Sequence, residues 1–188
     1  MKLFAPLIAA SVLALGFAAA PVYAADTYTL DPNHTLVAFE YNHGGFSHMN
    51  GKFMNAVGTV TLDDAAPANS SVEVSFAIAG INTGVPALDT HLKSPDFFDA
   101  DKFPTATFKS TSVAVTGAST ADVTGDLTIH GVTKPVTLHV TLNKRADDKS
   151  KAGFSATGSI QRSAFGIDKW VSPDTDTIAL TIESEAKK

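Results

Sequence analysis

The sequence contains no cysteine among its 188 residues. Disulfide bonds and thiol chemistry are therefore excluded, and a hydrophobic core must hold the fold together. Positive charge is also scarce: the sequence has 14 lysines and arginines and 19 aspartates and glutamates, which gives a net charge of −5 at pH 7. Nucleic-acid-binding proteins usually carry a basic stripe, and electrostatic docking on anionic lipid also needs basic residues. The acidic balance argues against both.

Motifs typical of enzymes are absent as well. The sequence has no glycine-rich phosphate loop, heptad run, internal repeat or Gly-x-Ser-x-Gly motif. Serine, histidine and aspartate are plentiful, yet no spacing selects a catalytic triad. None of the six histidines forms a His-x-x-x-His pair, so a zinc site would need ligands that converge in space. Asp89 and His91 resemble metal ligands, but a helix-start aspartate and a surface histidine are the simpler interpretation. We therefore predict no enzymatic activity, metal or cofactor.

The N-terminus has the pattern of a secretory signal peptide. Lys2 precedes an apolar run at residues 3–17, and Val22 and Ala24 stand two residues apart, as at a cleavage site. A membrane span needs about 20 apolar residues, which makes an uncleaved anchor the weaker alternative. We expect residues 1–24 to be removed and residues 25–188 to form one domain without a stable membrane anchor.

The clearest strand pattern lies at residues 121–145. Apolar and polar residues alternate through two runs, and alternation of period two places every second side chain on one face of a strand. Between the runs, the segment 131–135 contains glycine and proline, which predicts the turn of a long β-hairpin. The apolar faces are Val123, Gly125, Leu127 and Ile129 in the first run and Val136, Leu138, Val140 and Leu142 in the second.

The same alternation along the chain predicts an all-β fold of about eight antiparallel strands, with one short helical segment at about residues 86–94. The first strands are predicted at 28–31 and 34–42, and a change of apolar phase predicts a bulge near 55–57. Such a chain can form a sandwich or a barrel. Long strands, the bulge and inward-facing glycines favour an eight-stranded barrel. These glycines are Gly51, Gly58, Gly125 and Gly158.

Twelve large apolar side chains are predicted to point into this barrel. For any one of them, plain core packing is the simpler interpretation; as a set, they could line a tunnel for a long, thin apolar ligand. Burying a CH₂ group contributes about 0.8 kcal/mol, so ten carbons could supply roughly 8 kcal/mol before ordering costs. The set is Val37, Phe39, Tyr41, Phe53, Val74, Phe76, Ile78, Phe108, Leu127, Ile129, Leu138 and Phe154.

A polar head group would need partners at the mouth of such a tunnel. Arginine binds phosphate through two parallel hydrogen bonds, and lysine binds it as a point charge. Arg162 stands beside Ser163 at the end of a predicted strand, although a structural role in bonding loop carbonyls is an equal alternative for it. The candidates are His34, His91, Lys93, Arg162 and Ser163.

Four long segments cover the predicted domain in order. They are DPNHTLVAFEYNHGGFSHMNGKF from Asp31, LDTHLKSPDFFDADKFPTATFKST from Leu88, GDLTIHGVTKPVTL from Gly125 and RSAFGI from Arg162. Together they resemble the YceI family of bacterial exported proteins. The resemblance implies a lipocalin-like antiparallel barrel that binds a polyisoprenoid or a similar long-chain amphiphile in its lumen. It implies no known catalytic activity, and it implies a periplasmic location.

Three functions follow as hypotheses. The first is a periplasmic carrier or scavenger of isoprenoid-type lipid. The second is a hydrolase or other enzyme that acts on such a lipid at the barrel mouth. The third is a protein-interaction barrel, which predicts a large exposed apolar patch that the outward threonines, serines and lysines argue against. If residues 28–31 form a free edge strand, they could also pair across a homodimer. Nucleic acid is not an expected partner.

Overall fold

The alternating sequence forms β-strands throughout the computed structural model, which describes residues 25–188. The predicted signal peptide at residues 1–24 lies outside the described residues. One α-helix occurs in the described range, α1 (Pro86–Lys93), as predicted. The strands are β1 (Asp26–Leu30), β2 (Leu36–Asn42), β3 (His48–Met54), β4 (Val57–Leu62), β5 (Ser71–Ala77), β6 (Ile81–Asn82), β7 (Thr105–Val115), β8 (Thr120–Ile129), β9 (Val132–Arg145), β10 (Lys151–Gln161) and β11 (Thr177–Lys187).

These strands close into a barrel of eight antiparallel positions. Three positions hold two short strands in succession: β1 with β2, β3 with β4, and β5 with β6. The strands β7 to β11 fill the other five positions, each paired with its neighbour. Because β11 pairs with β10 on one side and with both β1 and β2 on the other, the ring has no open side. The predicted eight-stranded antiparallel barrel is confirmed.

Short breaks divide the interrupted strands. The break between β3 and β4 lies at Asn55 and Ala56, where the sequence predicts a bulge. Asn55 has a φ of 62°, a left-handed conformation that asparagine tolerates, and Ala56 is fully buried. The break before β2 is a 3₁₀ turn over Pro32–His34, in which the Asp31 carboxylate accepts a hydrogen bond from the Asn33 N–H. The predicted strand at 34–42 therefore begins two residues later.

The turn of the central hairpin is tighter than predicted. Only His130 and Gly131 separate β8 from β9, with φ values of 53° and 73°. Two positive φ values match the right-handed twist of the flanking strands. Pro135 lies inside β9 opposite Asp126, at a level where β9 has no partner on its β10 side. A proline without an N–H is therefore tolerated at this position of the strand. Since β9 already begins at Val132, the prediction of a turn over 131–135 is wrong.

The first strand is not a free edge. Thr29 in β1 is in register with Thr59 of β4 on one side and with Lys187 of β11 on the other. Both sides of the strand are therefore used inside the barrel, and the idea that residues 28–31 offer an edge to a homodimer is wrong. The seam is well packed, because a buried cluster lies beneath it: Tyr28, Leu30, Ala152 and Ala186.

Charged residues gather at the end of the barrel where β9 turns into β10. Arg145 meets Asp64 through two contacts, Nη1 to Oδ1 at 2.8 Å and Nη2 to Oδ2 at 2.9 Å. Lys149 Nζ lies 2.7 Å from the same Asp64 oxygen, and Lys188 Nζ lies 2.7 Å from Asp26 Oδ1. Hydrogen bonds from Arg145 and then Lys149 lower the pKa of Asp64 from 3.8 to about 2. This group links the loop after β4 to the turn after β9.

Gly58 of β4 lies close against the backbone of β5. A methyl group at this position would overlap the Glu73 carbonyl oxygen of β5. We expect Gly58→Ala to lower the free energy of unfolding by about 2 kcal/mol, because backbone atoms cannot move aside. Gly153→Ala is the matched control, since its nearest neighbour would be Ser184 O at 3.9 Å; we expect a change within about 1 kcal/mol. Urea unfolding measures both, and equal losses would contradict the explanation.

The Asp64 contacts predict a specific dependence of stability on pH. The folded state favours the charged carboxylate, so the contribution is complete above pH 3.8 and is lost as pH falls towards about 2. Both side chains of the Arg145 pair are partly exposed, so we expect Asp64→Asn to cost about 1 kcal/mol at neutral pH.

Thermal unfolding of Asp64→Asn and the parent protein between neutral and acid pH measures the contribution of the Asp64 charge to stability. The difference in Tm should shrink below pH 3.8. Asp147→Asn is the control, because Asp147 makes no ion pair with any residue in 25–188. A Tm difference that does not change with pH would show that Asp64 acts through packing and not through its charge.

Candidate ligand-binding cavity

The barrel encloses a cavity of about 930 Å³. This volume lies at the upper end of the range of small-molecule sites, roughly 300–1,000 Å³. At one end its wall includes Asp64 and Arg145, and at the other it includes His43, Phe46 and Trp170. All twelve side chains predicted to point inward lie in its wall: Val37, Phe39, Tyr41, Phe53, Val74, Phe76, Ile78, Phe108, Leu127, Ile129, Leu138 and Phe154.

Inward glycines explain how large side chains leave a cavity open. Phe39 lies over Gly51, its cross-strand partner, so closely that a methyl group on Gly51 would overlap the ring. Phe108 lies over Gly125 in the same way, with its Cζ 2.5 Å from where a Cβ would be. Each ring occupies the space that a side chain on the neighbouring strand would fill. Each ring therefore uses space beside the sheet that would otherwise hold a second side chain, and both rings border the cavity.

Part of the wall is also ordinary hydrophobic core. Phe53 packs on Phe76 with ring centroids 4.8 Å apart, on Phe39 at 5.7 Å, and edge-on against Phe98 at 5.8 Å. Phe53 and Phe76 are buried, as is Ile78 in the 3₁₀ turn after β5. Core packing and lining a cavity are thus not alternatives for these residues, because the same side chains belong to the hydrophobic core and border the lumen.

The helix α1 supplies the wall at the end of the barrel that we call the mouth. Its Leu88, His91 and Leu92 border the cavity. The His91 ring packs edge-on against Phe97 at 5.0 Å and against Trp170 at 5.5 Å. His91 Nε2 lies 3.2 Å from Asp96 Oδ2, and hydrogen bonds from His91 and Lys169 lower the pKa of Asp96. Residues 91–97 therefore form a polar and aromatic border beside an otherwise apolar wall.

Arg162 also borders the cavity near the mouth. Its Nε donates to the Thr175 carbonyl oxygen at 3.0 Å, and its Nη1 donates to the Ile167 carbonyl oxygen at 2.9 Å. Burial lowers the pKa of Arg162, while the charge of Asp176 opposes that shift, and the guanidinium remains charged. Within residues 25–188, Nη2 makes no hydrogen bond. Arg162 thus holds the loop before β11 and keeps one donor group for a ligand.

Three other predicted head-group residues do not line the cavity. His34 belongs to the 3₁₀ turn before β2, where its Nδ1 lies 3.1 Å from Asp31 Oδ2. Ser163 donates its hydroxyl to Asp176 Oδ2 at 2.7 Å. Lys93 lies in the last turn of α1 and is absent from the wall. Of the five candidates, the structure brings only Arg162 and His91 to the cavity.

Several polar and aromatic wall residues were not predicted. Phe46 and Trp170 lie in turns, where no periodic pattern shows which way a side chain points. Arg145 ends a strand, and Lys169 precedes Trp170 in the irregular segment before β11. A large aromatic residue in a charged or glycine-rich loop is the one signal that could have identified Phe46 and Trp170.

Within residues 25–188, no three histidine, aspartate or glutamate side chains are placed to hold a metal ion. No helix in that range is long and apolar enough to cross a membrane.

The chain is similar to known proteins in both sequence and structure. It is 40% identical to the UPF0312 protein of Pseudomonas savastanoi pv. phaseolicola over 183 residues, which cover 93% of this chain and 94% of the relative. The crystal structure of Burkholderia cenocepacia BcnA has a TM-score of 0.76 and 26% identity, covering 84% of this chain and 99% of BcnA.

A second solved structure shares the fold at lower identity. A polyisoprenoid binding domain from Saccharophagus degradans has a TM-score of 0.68 and 13% identity, covering 85% of this chain and 97% of that domain. The YceI-like domain family matches residues 28–186 of the sequence. The expected resemblance is thereby confirmed: the chain belongs to the YceI family.

Proposed function

We propose that the protein is a periplasmic carrier that holds one isoprenoid-type lipid, or a similar long-chain amphiphile, in the barrel lumen. The observation that carries this proposal is the closed barrel around an apolar cavity of about 930 Å³. Removing apolar surface from water contributes about 25 cal/mol per Å² to the free energy of binding. The cavity wall presents apolar side chains along the full length of the strands. A long hydrocarbon chain is the ligand that such a wall suits.

The relatives add support of two kinds. The Saccharophagus domain, described as polyisoprenoid binding, has the same fold. At 13% identity, this similarity shows a shared fold and no more. Membership of the YceI family points to a binding protein and not to an enzyme, which disfavours the alternative of a lipid hydrolase. The periplasmic part of the proposal is based on the signal-peptide pattern of residues 1–24.

The head group of the lipid would lie at the mouth. Arg162 provides a charged donor beside the apolar wall, and His91 lies at the same end. A guanidinium binds phosphate more strongly than it binds a hydroxyl, because the phosphate adds the attraction between two opposite charges to the hydrogen bond. The arrangement therefore suits an anionic amphiphile whose tail extends into the barrel.

Filling the lumen tests the carrier function directly. Ala156 points inward from β10 and borders the cavity, whereas Thr157, the next residue, is exposed on the outer face. We expect Ala156→Phe to weaken binding of a long-chain isoprenoid phosphate by about tenfold, because the added ring occupies space that the tail needs. Thr157→Phe adds the same ring outside the barrel and should leave binding unchanged.

Titration with a fluorescent long-chain analogue measures both affinities, and circular dichroism with thermal unfolding checks that both variants fold. Equal affinities in two folded variants would place the ligand outside the lumen and would contradict the carrier proposal.

Head-group recognition is tested separately at Arg162. We expect Arg162→Gln to weaken binding of the long-chain phosphate about tenfold more than binding of the corresponding alcohol, because only the phosphate carries a charge that attracts the guanidinium. The ratio of the two affinities is the measurement, since loss of the loop contacts alone would affect both ligands. An unchanged ratio would assign Arg162 a purely structural role.

A further inference from the structure

Exposed apolar side chains gather around the mouth of the cavity. Phe46 is 92% exposed in the turn between β2 and β3, and Trp170 is 69% exposed before β11. Val85, just before α1, and Val171 are exposed as well. These three segments lie at the same end of the barrel, because antiparallel strands bring alternate connections together. We call Phe46, Val85, Trp170 and Val171 the mouth surface.

Local hydrogen bonds fix the backbone around the two exposed aromatic residues. Trp170 has a φ of 53°, a strained conformation for a bulky side chain, and its carbonyl oxygen accepts a hydrogen bond from Thr175 Oγ1 at 3.1 Å. In the other segment, the Phe46 N–H donates to the His43 carbonyl oxygen at 3.1 Å, and Gly45 N–H donates to Asn42 Oδ1 at 2.6 Å. Local hydrogen bonds therefore fix the backbone of both segments, and both rings are largely exposed to solvent.

We propose that the mouth surface docks on a lipid bilayer, so that the lipid enters and leaves the barrel without crossing water. The proposal depends on the proposed carrier function, because docking on a bilayer transfers a ligand only if the barrel binds a lipid. Each CH₂ group exposed to water during transfer costs about 0.8 kcal/mol, and direct contact with the bilayer avoids this cost. Phe46 and Trp170 also border the cavity, so the surface is continuous with the path of the ligand.

The form of the surface favours a bilayer over a second copy of the chain. Its four side chains are spread over three separate segments, whereas a stable protein interface buries roughly 800 Å² of complementary surface per partner. Lys169 Nζ lies 5.3 Å from the centroid of the Trp170 ring, which pairs an aromatic ring with a cation as at membrane interfaces. The net charge of −5 implies that insertion of aromatic rings, and not electrostatic attraction, drives docking.

Trp170 reports on this docking directly, because it is the only tryptophan in the sequence. The experiment uses the protein in its natively processed form and vesicles of zwitterionic phosphatidylcholine. We expect a blue shift of the tryptophan emission on addition of vesicles, quenching by brominated phosphatidylcholine, and little change of either in high salt. An unshifted, unquenched emission would overturn the proposal.

Variants separate the mouth surface from the rest of the barrel. Val85→Ser should weaken vesicle binding about threefold and Phe46→Ser about tenfold, because each removes apolar area that would insert. Val57→Ser is the matched control, since Val57 is equally exposed but lies at the start of β4, away from the mouth. Equal losses in Val57→Ser and Val85→Ser would contradict the assigned surface, as would a change in self-association caused by Val85→Ser.

Failure of docking and failure of the carrier function are distinguishable. Val85 does not line the cavity, so Val85→Ser should bind a long-chain ligand delivered without vesicles as tightly as the parent protein. If the parent protein binds the ligand but not vesicles, the docking proposal is overturned and the carrier function stands. If it binds vesicles with the predicted variant pattern but no ligand, docking stands and the carrier function is overturned.

Discussion

The pairing of the last strand with the first two is the interaction on which the rest of the structure depends. β11 lies in register with β2 through Ile178↔Tyr41 and with β1 through Leu30↔Ala186. This pairing closes the sheet into a ring, so neither its first nor its last strand is left as a free edge. It also turns one apolar face inward on all sides. Without it, the same inward residues would need a second layer to cover them, and no enclosed cavity would form.

Enclosure alone does not keep a barrel hollow, because an eight-stranded barrel is just wide enough for side chains to fill it. Here the rings of Phe39 and Phe108 occupy the space that side chains at Gly51 and Gly125 would fill. Glycine next to an inward aromatic residue therefore has a functional consequence as well as a steric one. It allows the wall to be made of large apolar side chains while the centre remains free for a chain of similar chemistry.

Much of this architecture could be predicted because alternation of period two fixes the direction of every side chain in a strand. The complete inward set, from Val37 to Phe154, follows from that rule, and so does the break near Asn55. Turns obey no such rule. The residues His34 and Ser163 looked available for a ligand, but local hydrogen bonds to Asp31 and Asp176 engage them. A single sequence also does not show which strands pair, so the pairing of β1 with both β4 and β11 was not predicted.

The central claim is that the bore of the barrel holds a long hydrocarbon chain. A crystal structure of the natively processed protein, purified without detergent, tests it most directly when combined with mass spectrometry of an organic extract of the same sample. We predict continuous electron density of one chain between Ala156 and Phe108, and one long-chain amphiphile per protein molecule in the extract. A lumen filled by the protein's own phenylalanine side chains, together with an extract free of lipid, would contradict the account.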